Sequence, residues 1–455
     1  MQVEKMGLPT APLVTIAFVG LARSNAASRG MPHERICFLP HPMTNKSDEE
    51  MYKVLEGNDP VSNKPLMPEI IAALTVPLTA EEKKTGSISP DVGPATFSGT
   101  QDELQRLYCD NNLTDFMPII LPTEEKVEAM LKGTSHKPDE VIGKLSAAQG
   151  AQPSWTFTVR HVAINAVMAG ASPEHLPVIL AISSTGQPSL FSSTSSFTRM
   201  VMLNGPISDQ IKMNYGIGAM GPFAEPNAVI GRAWTILSKN LGGCGVPGLS
   251  YLGTLGSNFN YNNLCIAETE NRLPDGWKPF HVQKGFKADD SVVSIFSGWS
   301  LNNIAWFSAL KYNDVIKNWL THFFSFGTGA ATVMLDPTIA REAKDMGYNS
   351  KEELCDYWSK NTKTPAWLYW DTHRGELKQA QDGVEPYASY LKMGDADIPF
   401  QRFYRRGRPG APPPPDAAAN PKSSIELIVL GGETNTYFAG GDFSYVTSAS
   451  VDKWR

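Results

Sequence analysis

The 455-residue chain lacks long blocks of lysine and arginine, and its formal charge is −6, so it has no electrostatic footprint for nucleic acid. One short basic cluster, Arg402 to Arg408, reads as a solvated loop beside a proline run. No apolar run is long enough to span a bilayer. The longest near the start, APLVTIAFVGLA, covers about 12 residues where a span needs about 20. It resembles the core of a signal peptide, but a retained, buried strand leading to Gly20 explains it more simply. Cysteine is scarce: Cys37, Cys109, Cys244, Cys265 and Cys355 are odd in number and widely spaced, with no CxxC. That excludes a disulfide framework and points to a reducing, cytoplasmic setting. HExxH, GxSxG, P-loop, heptad and repeat patterns are all missing.

What remains is ordinary globular composition, 42% hydrophobic and 19% charged. The length calls for more than one core. Residues 12–20 and 35–42 read as strands, Ser47 to Glu50 as a capping box opening a helix, and Pro68–Thr75 as a second helix. Thr79 to about Gly99 reads as a linker. Thr123 opens a helix that Gly133 stops, and HKPDEVIGKL reads as another. The stretch TFTVRHVAINAVMAGASPEHLP predicts a helix with Thr158 at its start and Gly170 at its end. Val159, Val162, Ala163, Ala166 and Val167 form its apolar stripe. LPVILAIS extends this helical layer. Phe197–Ile207 reads as a strand, Asn227–Leu241 as a helix, and Leu264–Glu270 and Ser291–Phe296 as further strands. Helices follow in NDVIKNWLTHFFSFG, in PTIAREAKDMG and from Ser350, and SIELIVLGGETNTYF reads as a strand entering a glycine turn. The expected class is α/β: mixed sheets with covering helices, in several domains.

Candidate chemistry is polar rather than thiol-based. His161 and Asn165 lie one turn apart on the quoted helix. GIGAMG, Gly216 to Gly221, matches GxGxxG, but about ten residues separate it from the preceding strand, and Pro222 and Pro226 delay the helix. A dinucleotide is therefore not expected. Gly216, Gly218 and Gly221, together with Asn227 and Arg232 on the following helix, would instead receive a carboxylate or phosphate. The alternative is that the glycines only let backbone segments pass closely. Glu268 and Glu270 alternate on one strand face and could act as acid and base or hold a divalent cation, with His281 near in sequence. Glu174, His175 and His161 form a second cluster. Cys244 follows a helix C-terminus, which disfavours a thiolate, and Cys265 reads as a buried strand thiol.

PTEEKVEAMLKGTSHKPDEVIG, TVRHVAINAVMAGASPEHLPVILA, VMLNGPI, NYGIGAMGPFAEPNAVIGRAW, LCIAETE and GWKPFHVQKGF together resemble the uncharacterised bacterial family associated with UGSC-motif selenoproteins and their CGSC versions. The terminal VLGGETNTYF and SASVDKWR are similar to that family's C-terminal end. The first 80 residues are similar too, but FVGLARSNAASRG stands where the UGSC or CGSC motif would fall. Ser24, Asn25, Ala26 and Ala27 supply no thiol. The resemblance implies small-molecule metabolism without the family's redox motif. It also highlights polar positions the local reading favours: His161, Asn165, Asn204, Asn227, Arg232, Glu268, Glu270 and His281.

The expected organisation is a small α/β domain over residues 1–80, resembling a degenerate UGSC-type domain, then a linker or surface excursion over 81–115. A main α/β domain carrying the active site covers 116–406. A Pro-rich linker spans 407–423, and a C-terminal strand segment, 424–455, docks on the main domain or on a neighbouring subunit. The expected function is a lyase or hydrolase acting by acid/base chemistry on a small anionic organic substrate, without a redox cofactor. Catalysis would fall to Glu268, Glu270, His281 and His161; binding to Asn165, Asn204, Gly216, Gly218, Gly221, Asn227 and Arg232. A divalent metal is possible. The alternatives are a non-catalytic scaffold using aromatics such as Trp299, Trp306, Phe323 and Phe324, and a thiol redox protein using Cys244 or Cys265. A homo-oligomer or a partner enzyme subunit is expected, with neither nucleic acid nor membrane.

Overall fold

The computed structural model describes residues 2–43, 46–86, 96–145, 156–190, 194, 196–305, 312–322, 330–398, 403 and 422–455. The α/β class holds: helices surround mixed sheets. The chain forms two compact units, one of residues 1–197 and 232–262, the other of residues 198–231 and 263–455. The basic cluster, apart from Phe403, and most of the Pro-rich segment lie outside the described residues, as do Trp306, Phe323 and Phe324.

The first unit is mainly helical. Strand β1 (Leu13–Thr15) pairs in parallel with β2 (Cys37–Leu39). The expected strand over 12–20 is thus only three residues long: Ile16–Phe18 forms a 3₁₀ turn and Val19–Ser28 a helix. The run LARSNAAS, rich in helix-compatible residues without β-branching, stays helical rather than extended. Residues 24–27 therefore sit inside that helix, where Asn25 Nδ2 donates to Leu21 O. A second correction concerns HKPDEVIGKL. Its second half is β3 (Val141–Lys144), paired antiparallel with β4 (Thr156–Thr158) across an irregular register at Gly143. Val141 and Ile142 are β-branched, and a cross-strand partner distant in sequence decides their state.

The helix Val159–Ala169 forms as expected, with Gly170 left-handed at φ 84° just beyond it. Val159, Val162, Ala163 and Ala166 are wholly buried. Leu176–Ser184 continues the helical layer.

The second unit contains two four-stranded sheets. One runs in the order β12 (Ser444–Ser450), β7 (Val292–Gly298), β5 (Thr198–Asn204), β6 (Leu264–Ala267), with β5 and β6 parallel and the other pairs antiparallel. The other runs β10 (Ile425–Val429), β9 (Ala331–Leu335), β11 (Tyr437–Gly441), β8 (Leu301–Ala305), with β9 and β10 parallel. Every residue of β5 and β9 is buried, as expected of inner strands covered on both faces. Helices Pro337–Asp345 and Lys351–Asn361 pack on the second sheet through Ile339, Ala340, Leu354 and Trp358. Asp336 caps the first of them by accepting from Thr338 N at 2.9 Å.

The two parallel pairs bring four carboxyl strand ends together. Thr269 N, just past β6, donates to Val429 O at 2.9 Å, and Val429 N donates to Glu268 Oε1 at 3.3 Å. Ligands of α/β sheets characteristically bind outside such ends.

Candidate acid/base site at the strand ends

Strand β6 stops at Ala267, immediately before Glu268 and three residues before Glu270. They therefore do not share a strand face. Glu268 turns inward, and Glu270 opens the short 3₁₀ turn Glu270–Arg272. They converge nonetheless, because Asn204 at the end of the adjacent β5 bridges them. Its Nδ2 donates to Glu268 Oε2 at 2.9 Å and to Glu270 Oε1 at 2.7 Å.

The two carboxylates have different surroundings. Glu268 is 2% exposed; its Oε1 accepts from the buried Lys351 Nζ and its Oε2 from Phe280 N at 2.7 Å. A buried charge needs this full complement of partners. Glu268 is thus engaged structurally, anchoring both Asn204 and the helix that begins at Lys351. Glu270 is partly exposed, and both its bonds, from Asn204 and from Gly205 N at 2.7 Å, fall on Oε1. Burial raises its pKa above the ordinary carboxylate value. Glu268 adds to the rise, while the bonds from Gly205 and Asn204 and the nearby His281 oppose it.

His281 completes the group. It is wholly buried in the short helix Phe280–Gln283, with Nδ1 3.8 Å from Glu270 Oε1, and among the described residues neither ring nitrogen has a hydrogen-bond partner. Asn204 Oδ1 is likewise buried without a partner. Buried polar groups in folded proteins are nearly always paired, so three orphaned acceptors or donors around one raised carboxylate mark this spot.

The remaining candidates have other partners. His161 Nδ1 accepts from Thr158 N at 3.1 Å, and His175 Nδ1 from Ser172 N at 3.1 Å; each ring caps its own turn. Burial and Arg160 lower the pKa of His161. Asn165 donates to His161 O and accepts from Asn240 Nδ2. Arg232 donates from Nε and Nη2 to Asp115, and further to Pro118 O and Ala169 O. All four residues lie in the first unit, and the guanidinium of Arg232 is committed there.

The glycine segment is held by Asn227, whose Nδ2 donates to Asn214 O at 3.0 Å and whose Oδ1 accepts from Asn214 N at 2.8 Å. A Cβ on Gly218 or Gly221 would come within 2.6 or 2.4 Å of the Phe223 ring. These glycines permit close approach. With Gly216 they line a cleft of about 370 Å³, whose other wall is Asp336 and the Leu430–Gly432 turn. Among the described residues Asp336 is the sole charged side chain lining the cleft, and it is an acid.

Sequence reading missed Lys351, Asp336 and a charged trio. Arg272 Nη1 donates to Glu433 Oε2 at 2.7 Å, while Arg341 donates to Oε1 of the same carboxylate. The partners lie 83 to 161 residues apart, so no local spacing signals them.

Among the described residues no disulfide joins the cysteines, and Cys37, Cys265 and Cys355 have thiols pushed up by burial. Among the described residues no group of three His, Cys, Asp or Glu side chains is arranged to hold a metal ion, and none of their helices is long and apolar enough to cross a membrane. No curated protein and no solved structure gives a significant match to the chain. Residues 1–63, spanning β1, β2 and the helices after each, match the model of the UGSC family. The chain is thus similar to that family over residues 1–63, while the motifs further along that resemble the same family lie outside the match.

Proposed function

We propose that the protein is a lyase or hydrolase that acts by acid/base chemistry on a small anionic organic molecule, with Glu270 exchanging the proton. The observation that carries this is the raised, partly exposed carboxylate of Glu270 beside the wholly buried, unpartnered His281. A carboxylate tuned upward by burial is suited to exchange protons nearer neutral pH than a solvated one. Asn204 and Gly205 N fix Oε1, which leaves Oε2 for the substrate. His281 stands behind as a second proton acceptor.

The charge of the substrate follows from Arg272, which ends the turn that Glu270 begins. Arg272 and Arg341 share the single carboxylate of Glu433, so the trio has one positive charge in excess. An anionic group near Glu270 would be drawn there rather than to Arg232. The absence of a disulfide among the cysteines fits a reducing, cytoplasmic setting.

The test is substrate-blind. Small organic acids, with their esters and amides, are incubated with the protein in D₂O and followed by proton NMR for C–H exchange or product. Wild type should convert at least one compound, and Glu270→Gln should lose that conversion by about 10²-fold or more. Equal turnover by Glu270→Gln would remove Glu270 from the mechanism.

A further inference from the structure

The cleft beside the glycine segment has a chemistry opposite to that expected of a carboxylate cradle. Its floor is Asp336, 6% exposed and lining the cleft. Oδ1 accepts from Thr338 N and Oδ2 from Glu433 N at 2.9 Å, so two of about four acceptor positions on the carboxylate are taken. Among the described residues no lining side chain carries positive charge. An anion placed there would meet Asp336 directly, while the guanidinium groups of Arg272 and Arg341 next to this wall are held by the Glu433 carboxylate.

The mouth of the cleft is apolar. Phe223 is 74% exposed, and its ring lies across Gly218 and Gly221. Ile217, 69% exposed, packs on Gly432, where a Cβ would come within 2.5 Å of the Ile217 backbone nitrogen. Two large apolar side chains this exposed that line one cleft mark a binding surface. Tyr437 and Asn303 add neutral polar groups to the wall. Aromatic faces attract cations, and a buried carboxylate selects positive charge.

We infer that this cleft binds an organic ammonium ion: a protonated amine on Asp336, with an apolar or aromatic body against Phe223 and Ile217. At about 370 Å³ the cleft is large enough for a ring and a short side arm, within the range of small-molecule sites. The inference uses no residue of the Glu270 group and stands or falls separately from the acid/base reading. The ligand is a second substrate or an effector, distinct from the anionic compound proposed above.

The experiment is calorimetric titration of the full chain with 2-phenylethylamine at neutral pH, with 3-phenylpropionate and 2-phenylethanol as probes of charge. The amine should bind, and the acid should bind at least tenfold more weakly. Phe223→Ala removes a side chain that is mostly in solvent, so the fold should persist; amine affinity should fall by roughly two- to tenfold as the ring contact is lost. Asp336→Asn should lose binding with its circular dichroism unchanged, since asparagine is also a good helix cap. Failure of the amine to bind, equal binding of the acid, or an unaltered affinity in Phe223→Ala would overturn the assignment.

Discussion

Replacing Lys351 with methionine tests the arrangement most severely. Lys351 and Glu268 have side chains 1% and 0% exposed, so neither charge can be solvated by water if the other is removed. The methionine keeps most of the apolar volume and deletes only the ammonium. A carboxylate left buried without its cation costs about 3–5 kcal/mol, offset in part by the bonds that Asn204, Phe280 and Val429 still donate. For a folding unit of this size the melting temperature should fall by roughly 6–20 °C. The double variant Glu268→Gln with Lys351→Met should recover at least half of that loss, because it removes the unpaired charge as well. Urea unfolding of wild type, both single variants and the double variant closes the cycle. The consequence reaches the site, since Glu268 positions Asn204 and Asn204 positions Glu270. If Lys351→Met unfolds within about 1 kcal/mol of wild type, the ion-pair account is refuted.

Three other outcomes are expected. Glu270 has a folded-state pKa above its unfolded value, so the folded state binds more protons between the two, and stability falls as pH rises through that window. Glu270→Gln should flatten this slope and be more stable than wild type at neutral pH; an unchanged slope in urea unfolding between pH 4 and 8 would contradict the cause assigned. Gly205 is left-handed at φ 81°, and a Cβ there would come within 2.1 Å of Asp290 O. Gly205→Ala should cost about 1–2 kcal/mol from backbone strain alone, more with the clash, and should displace the N–H that holds Glu270; wild-type stability would show that the turn is not constrained. Arg232→Met should destabilise the first unit by about 1.5–3 kcal/mol, because Asp115 loses both donated bonds. It should leave turnover per folded molecule unchanged, and a selective loss of turnover would return Arg232 to the site.

Local sequence determined much of the helical framework. Ser47 with Glu50, and Gly170 after Ala169, act within a few residues, so their spacing is sufficient to place helix ends. The pattern of β5 was legible for the same reason: its run Met200–Leu203 is apolar and follows the β-branched Thr198, as suits an inner strand. Polar candidates at the ends of β5 and β6 were also visible, and the structure does gather Asn204, Glu268, Glu270 and His281.

Their division of labour was not visible. Glu268 and Glu270 are alike in sequence, and only Lys351, 83 positions away, makes one a buried structural anion. His161 and Arg232 looked equally available until Thr158 and Asp115 took them. Strand β3 read as a helix because its state depends on β4, twelve residues beyond it. The C-terminal strands β11 and β12 gave no sign that they would pair with β9 and β7, more than 100 residues earlier. Sequence spacing reports what neighbouring residues do to one another through backbone geometry. Charge pairing, burial and strand partners depend on which distant segments meet, and that is decided only when the sheets assemble.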